Sequence, residues 1–247
     1  MTTFATSRTI KSSNAMTYLI LVSRLVLFMV FQTSIALIVN AWEASEKYWL
    51  LTATLTNIVS IILLFILFKM DGNTYFSIFT FHRASIKKDI IVFFGLAIVS
   101  VPVVFIPGYF LSILIWGDPN VPTDMMFGPI EKWLVYILLI AFPVTIAFSE
   151  LATYFVYLMP KLKEQLKVKW LAVLLPIVFL SVQHCTLPFI PDIHFIMYRA
   201  LVFLPFAVLI GVSIFYRPSL FIFFAILHGI LDLGTALMFI LEISDVR

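Results

Sequence analysis

Residues 219–241 read SLFIFFAILHGILDLGTALMFIL, and this stretch decides the fold. Only His228 and Asp232 in it can carry charge. A helix crossing the hydrocarbon of a bilayer needs about 20 predominantly apolar residues, which the stretch supplies. Backbone groups in lipid must find their partners within the segment, so it reads as a helix and not as a strand. His228 and Asp232 are four residues apart, on one helical face, with Cβ atoms about 6 Å from each other. Ionisable side chains are costly inside a bilayer, and those found there default to functional hypotheses.

Six further stretches have the same character: roughly 16–40, 49–68, 89–116, 133–158, 170–190 and 196–215. The expected fold is all-α, a polytopic transmembrane helical bundle of about seven spans, or eight if the third breaks at Pro102 or Pro107. The chain then divides into a polar N-terminal tail (1–15), N-terminal transmembrane helices (16–132), core helices carrying the polar site (133–241) and a short tail (242–247). The first apolar stretch is too long for a signal-peptide core of 7–15 residues and lacks a small-residue cleavage site, so it reads as a retained helix. No internal repeat is visible, which counts against transporters built from inverted halves.

Composition agrees. Apolar residues make up 62% of the 247 and charged residues 12%, with mean hydropathy +1.10. Soluble domains carry about 25% charged residues, so this chain is solvated mainly by lipid. The net charge of +3 is small and its basic residues fall in loops, which implies the lipid bilayer and no nucleic acid as partner. The one cysteine, Cys185, excludes an intramolecular disulfide and a Cys-based metal cluster.

The basic residues set an orientation. One side collects Arg8, Lys11, Lys69, Arg83, Lys87, Lys88, Lys161, Lys163, Lys167, Lys169 and Arg217, and the other Lys47, Lys132 and Arg247. The positive-inside rule then makes the N-terminus cytoplasmic and the C-terminus external. Arg24 and Arg199 lie within spans. Each reads first as an arginine whose long stem snorkels to the headgroups, with pairing to a buried carboxylate as the alternative.

Two more ionisable residues, Glu150 and His184, join His228 and Asp232. At 1.5 Å per residue, Glu150 and His228 lie about 16 Å from the nearest basic residue of their helices, and His184 and Asp232 about 22 Å. All four share one level near mid-membrane and can form one site. A carboxylate beside an imidazole orients the ring; the structural alternative is a polar pair that stitches two helices together. Glu150 has hydroxyl neighbours in Ser149, Thr153 and Tyr154, and the sequence shows no cation beside it. Imidazole and carboxylate also suit zinc, so a divalent metal at the His/Glu site stays open, although the HExxH spacing is absent.

The order of these motifs resembles the CAAX protease and bacteriocin-processing (CPBP, or Abi) intramembrane endopeptidases. The family's third motif, HxxxN or HxxxD, is matched by His228-Gly229-Ile230-Leu231-Asp232. Its second, FxxxH, corresponds to Leu180-Ser181-Val182-Gln183-His184, with Phe179 one residue early. Its first, EExxxR, reads Ser149-Glu150-Leu151-Ala152-Thr153-Tyr154, where Ser replaces the first Glu and Tyr the Arg. The resemblance covers about residues 133–241. It implies an endopeptidase of a bacterial cytoplasmic membrane that cleaves a short peptide or the terminus of a membrane-associated protein, admitted from the cytoplasmic face. Glu150 and His184 would activate a water, and His228, oriented by Asp232, would stabilise the oxyanion. The departures at Ser149 and Tyr154 leave a second expectation: an inactive relative that binds peptides, regulates or confers bacteriocin immunity. A proton-coupled transporter is the third.

Overall fold

The computed structural model describes residues 14–245, whose regular secondary structure is all helical, with no strand among them. Arg8, Lys11 and Arg247 lie outside the described residues. The helices are α1 (Asn14–Val39), α2 (Trp42–Glu46), α3 (Trp49–Met70), α4 (Ile86–Trp116), α5 (Val121–Met126), α6 (Lys132–Leu151), α7 (Met159–Gln165), α8 (Leu171–Val182), α9 (Ile193–Val202), α10 (Leu204–Tyr216) and α11 (Phe221–Asp245). A π-helical segment, Ala152–Leu158, joins α6 to α7, and a 3-10 turn, Gln183–Thr186, extends α8.

Six of the described helical runs are long and apolar enough to cross a membrane: α1, α3, α4, α6 through α7, α9 through α10, and the run Pro218–Ile240, which begins in a 3-10 turn and continues into α11. The stretch expected at 170–190 is the exception. It forms the shorter apolar run Leu171–Thr186, after which the chain turns at residues 187–188. The third stretch does not break. α4 is continuous over 31 residues through both prolines, about 46 Å long, and so exceeds a hydrocarbon core of about 30 Å. α11 continues past residue 241 to Asp245.

Ion pairs gather the basic loops at one end of the bundle. Lys161 Nζ lies 2.7 Å from Asp71 Oδ2, just after α3. Arg217, after α10, lies 2.5 Å from Asp89 in the first turn of α4. Indole and amide groups close the opposite end: Trp49 Nε1 donates to Met126 O at 3.1 Å, and Gln32 both donates to and accepts from the backbone of Phe189.

α6 occupies the centre, packed against α3 on one side and α11 on the other. The α6–α11 contact is close because of Gly229: a Cβ there would meet Pro143 O at 3.0 Å and Ala147 Cβ at 3.2 Å. That approach puts His228, the adjacent residue, within reach of Glu150. α4 buries little of its surface and flanks α9 and α10 at the periphery.

Candidate functional site

Glu150 enters the site from the last turn of α6, two residues before the π-helical segment. Such segments occur often at functional sites, because the extra residue per turn re-aims the side chains around it. Glu150 is 1% exposed. Its Oε2 accepts from Gln183 Nε2 at 2.7 Å and from Arg24 Nη2 at 3.3 Å. Its Oε1 lies 3.1 Å from His228 Nε2.

His228 Nε2 is shared. Asp232 Oδ2, one turn along α11, is 3.2 Å from the same nitrogen. Two carboxylate oxygens flanking one ring nitrogen require that nitrogen to carry a proton. The single N–H points between them, so neither Glu150 Oε1 nor Asp232 Oδ2 receives an aligned hydrogen bond, and His228 Nδ1 has no partner among the described residues. A buried polar atom left unsatisfied costs about 1–3 kcal/mol. Six buried side-chain atoms are in this condition among the described residues, and three belong to this site. The molecule concentrates the penalty where a ligand or water could relieve it.

His184 lies in the 3-10 turn after α8. Its Nδ1 is 2.9 Å from Leu180 O and 3.3 Å from Ser181 O. A carbonyl can only accept, so Nδ1 is the donor and the neutral ring keeps its lone pair on Nε2. The ring stacks on Phe203 with centroids 3.9 Å apart, which fixes its plane.

The four residues named from sequence line one cavity of about 450 Å³, within the usual range for ligand sites. The wall is mostly apolar and is completed by α4, α9 and α10. Its extent corrects one expectation. From the polar site the lining runs to Trp49, Pro119, Thr123 and Phe127, at the end opposite the basic loops, and to Phe105 and Tyr109 on the outward face of α4. No residue of the basic loops lines it. The lining therefore extends away from the side expected to be cytoplasmic.

Both arginines also correct the snorkelling reading. Arg24 is 0% exposed. Its five N–H groups meet five acceptors: Gln183 Oε1 at 2.8 Å, Asn57 Oδ1 at 2.9 Å, Ser60 Oγ at 3.2 Å, Glu150 Oε2 at 3.3 Å and Ser149 Oγ at 3.5 Å. Desolvating a guanidinium is expensive, and only such complete pairing offsets the cost. Tyr154 donates to Gln183 Oε1 at 3.2 Å. A cation from α1 thus shares the Gln183 amide oxygen with Tyr154. Ser149 turns toward α3 and donates to Asn57 Oδ1 at 2.9 Å. Arg199 is 5% exposed and is held inside the protein as well.

Sequence reasoning missed Asn57 and Gln183 as members of the site and gave the pairing of Arg24 with a buried carboxylate only as the alternative to snorkelling. The available signal was their polarity within apolar helices, the criterion that selected the other four. Among the described residues no three His, Cys, Asp or Glu side chains are arranged to hold a metal ion. Comparison with family models, with curated proteins and with solved structures finds no match to this chain.

Proposed function

We propose that this protein is an integral-membrane peptidase of CPBP-like type, hydrolysing a short apolar peptide or the terminus of a membrane-associated protein. One observation carries the reading: Glu150, His184, His228 and Asp232, chosen from sequence by depth and motif order, line a single cavity. Helix-stitching polar groups pair with one another without leaving a cavity; here about 450 Å³ of space adjoins them.

The roles follow from the contacts. Glu150 Oε1 and the Nε2 lone pair of His184 are the groups free to hold and deprotonate a water. Gln183 and Arg24 fix the Glu150 carboxylate through Oε2 and leave Oε1 to the cavity side. His228 holds its Nε2–H between two carboxylates and, as the imidazolium, would offer positive charge to the oxyanion of a tetrahedral intermediate. Apolar walls exclude bulk water and strengthen each of these interactions.

The topology that fits is seven crossings with the N-terminus cytoplasmic and the C-terminus external, the fifth crossing being the short α8 run. Six crossings would return the C-terminus to the cytoplasm. In the seven-crossing arrangement the cavity faces the external side and the bilayer, so a substrate reaches it from outside or laterally past α4.

A second reading has its own support. Both oxygens of Glu150 lie beside cationic or amide donors, and a carboxylate so well compensated is a weak base. This favours a relative that binds peptides without cutting them. Reconstitution in proteoliposomes with a mixed peptide library, read by mass spectrometry, separates the two. Cleavage products that vanish in Glu150→Gln support the peptidase, and peptide retention without products supports the binder.

A further inference from the structure

We infer that Tyr75 is a positioning residue for Glu150: its hydroxyl holds the Phe148 carbonyl where α6 gives way to the π-helical segment, and so sets the direction in which the carboxylate leaves the helix. The inference rests on the reading of Glu150 as the carboxylate of a peptide site and adds to that site a residue outside the cavity.

An α-helix aims its side chains through its own ladder of hydrogen bonds, each N–H reaching the carbonyl four residues back. That ladder changes beside Glu150. The Ala152 N–H, which would reach Phe148 O in a regular α-helix, donates to Ser149 O instead. The π segment then runs from Ala152 to Leu158, and the Met159 N–H closes it on Tyr154 O, five residues back. Pro160 follows. It has no N–H, and in an α-helix its ring would press on the carbonyl four residues back, a contact that the wider turn relieves. With the ladder altered within two residues of Glu150, the backbone there is held by groups from other parts of the fold.

Three successive residues are held, each by a different partner. Glu150 Oε2 accepts from Gln183 and Arg24. Ser149 donates to Asn57 on α3. Phe148 O accepts from the Tyr75 hydroxyl, whose one hydrogen bond among the described residues this is. Tyr75 opens a 3-10 turn, Tyr75–Ile78, between α3 and α4, and is 1% exposed. Its ring packs against Phe65, Phe68, Phe76 and Phe79 with centroids 5.4–5.7 Å away. Phe79 packs in turn on the Phe148 ring at 4.8 Å. A ring so enclosed has one place for its hydroxyl. Phenylalanine would fill the same space and leave Phe148 O without that donor, so the oxygen of Tyr75 is the part that packing does not explain.

The test uses the full protein carrying Tyr75→Phe, which keeps the ring, alone and combined with Glu150→Gln. Thr17→Val serves as the control; it breaks a buried hydrogen bond between α1 and α7, Gln165 Nε2 to Thr17 Oγ1 at 2.7 Å. In detergent, Tyr75→Phe should lower the thermal midpoint about half as much or less beside Glu150→Gln as it does alone, because the carboxylate it aims and the pair with Arg24 are then already gone. Thr17→Val should cost the same in both backgrounds. On the peptide cleaved fastest from the mixed library, Tyr75→Phe should cut kcat about tenfold or more and leave KM within about twofold, since a misplacement of about 1 Å costs up to about 10²-fold. Thr17→Val should leave both constants unchanged per folded molecule. Equal midpoint losses for Tyr75→Phe in the two backgrounds overturn the inference and leave the hydroxyl a structural tie only. Wild-type kcat in Tyr75→Phe overturns it too. A wild-type protein that retains peptides without cutting them ends the peptidase reading, and the midpoint comparison then decides Tyr75 by itself.

Discussion

Arg24 Nη2 lies 3.3 Å from Glu150 Oε2, with both side chains at most 1% exposed, so a helix more than a hundred residues away supplies the charge that balances the central carboxylate. Removing one member of a buried pair leaves an uncompensated charge and costs about 3–5 kcal/mol. Arg24→Gln should therefore lower the thermal midpoint sharply in detergent. Arg24→Gln with Glu150→Gln should recover much of the loss, because two neutral amides can bond to each other. Additive losses in the double variant would show that the two side chains are not coupled.

The helix contact beneath the site is equally testable. In Gly229→Ala the new methyl meets Pro143 O at 3.0 Å, a backbone atom that cannot rotate away. α11 must shift outward, at a cost of about 1–3 kcal/mol for an overpacked contact. His228 moves away from Glu150 with it. Gly234→Ala, with open space at its Cβ, should be silent in the same unfolding and binding assays.

Much of the site was legible because depth is linear in sequence along a helix. Glu150, His184, His228 and Asp232 could be placed at one level by counting residues, and His228 and Asp232 on one face by their spacing. Their partners were not legible by that route. Arg24 and Asn57 sit on α1 and α3, and nothing local shows which face of those helices meets α6. Arg24 also lies close enough to its helix end for snorkelling to satisfy it equally well on paper. The side on which the cavity opens depends on how α4, α5 and α9 lean together, which is a tertiary property. The prolines in α4 argued for a break that a peripheral helix, with one face free in lipid, does not need.

The topology makes a labelling prediction. In a Cys185→Ser background, a cysteine at Lys163 should react with a membrane-impermeant maleimide only after cells are opened. A cysteine at Thr123, which lines the cavity, should react in intact cells. The reverse pattern would invert the orientation.

Glu46, at the end of α2 outside the long helices, gives a pH signature. Burial and, next, the neighbouring Glu43 push its carboxyl up from the usual 4.5 to about 7. A folded-state pKa above the unfolded one stabilises the fold at low pH, and that contribution fades as pH rises from about 4.5 through about 7. The thermal midpoint should fall across this window in the wild-type protein and fall less in Glu46→Gln. Parallel curves would remove Glu46 as the cause.

The central claim, that Glu150 and His184 act on one water in a peptide-hydrolysing site, is tested most directly by cleavage kinetics of the two single variants and their combination. Glu150→Gln and His184→Ala should each slow cleavage by about 10²-fold or more per folded molecule, with the folded fraction measured alongside because Glu150→Gln also leaves Arg24 without its carboxylate. The double variant should be little slower than either, since groups that act as a unit do not add. Cleavage at the wild-type rate in Glu150→Gln would contradict the account.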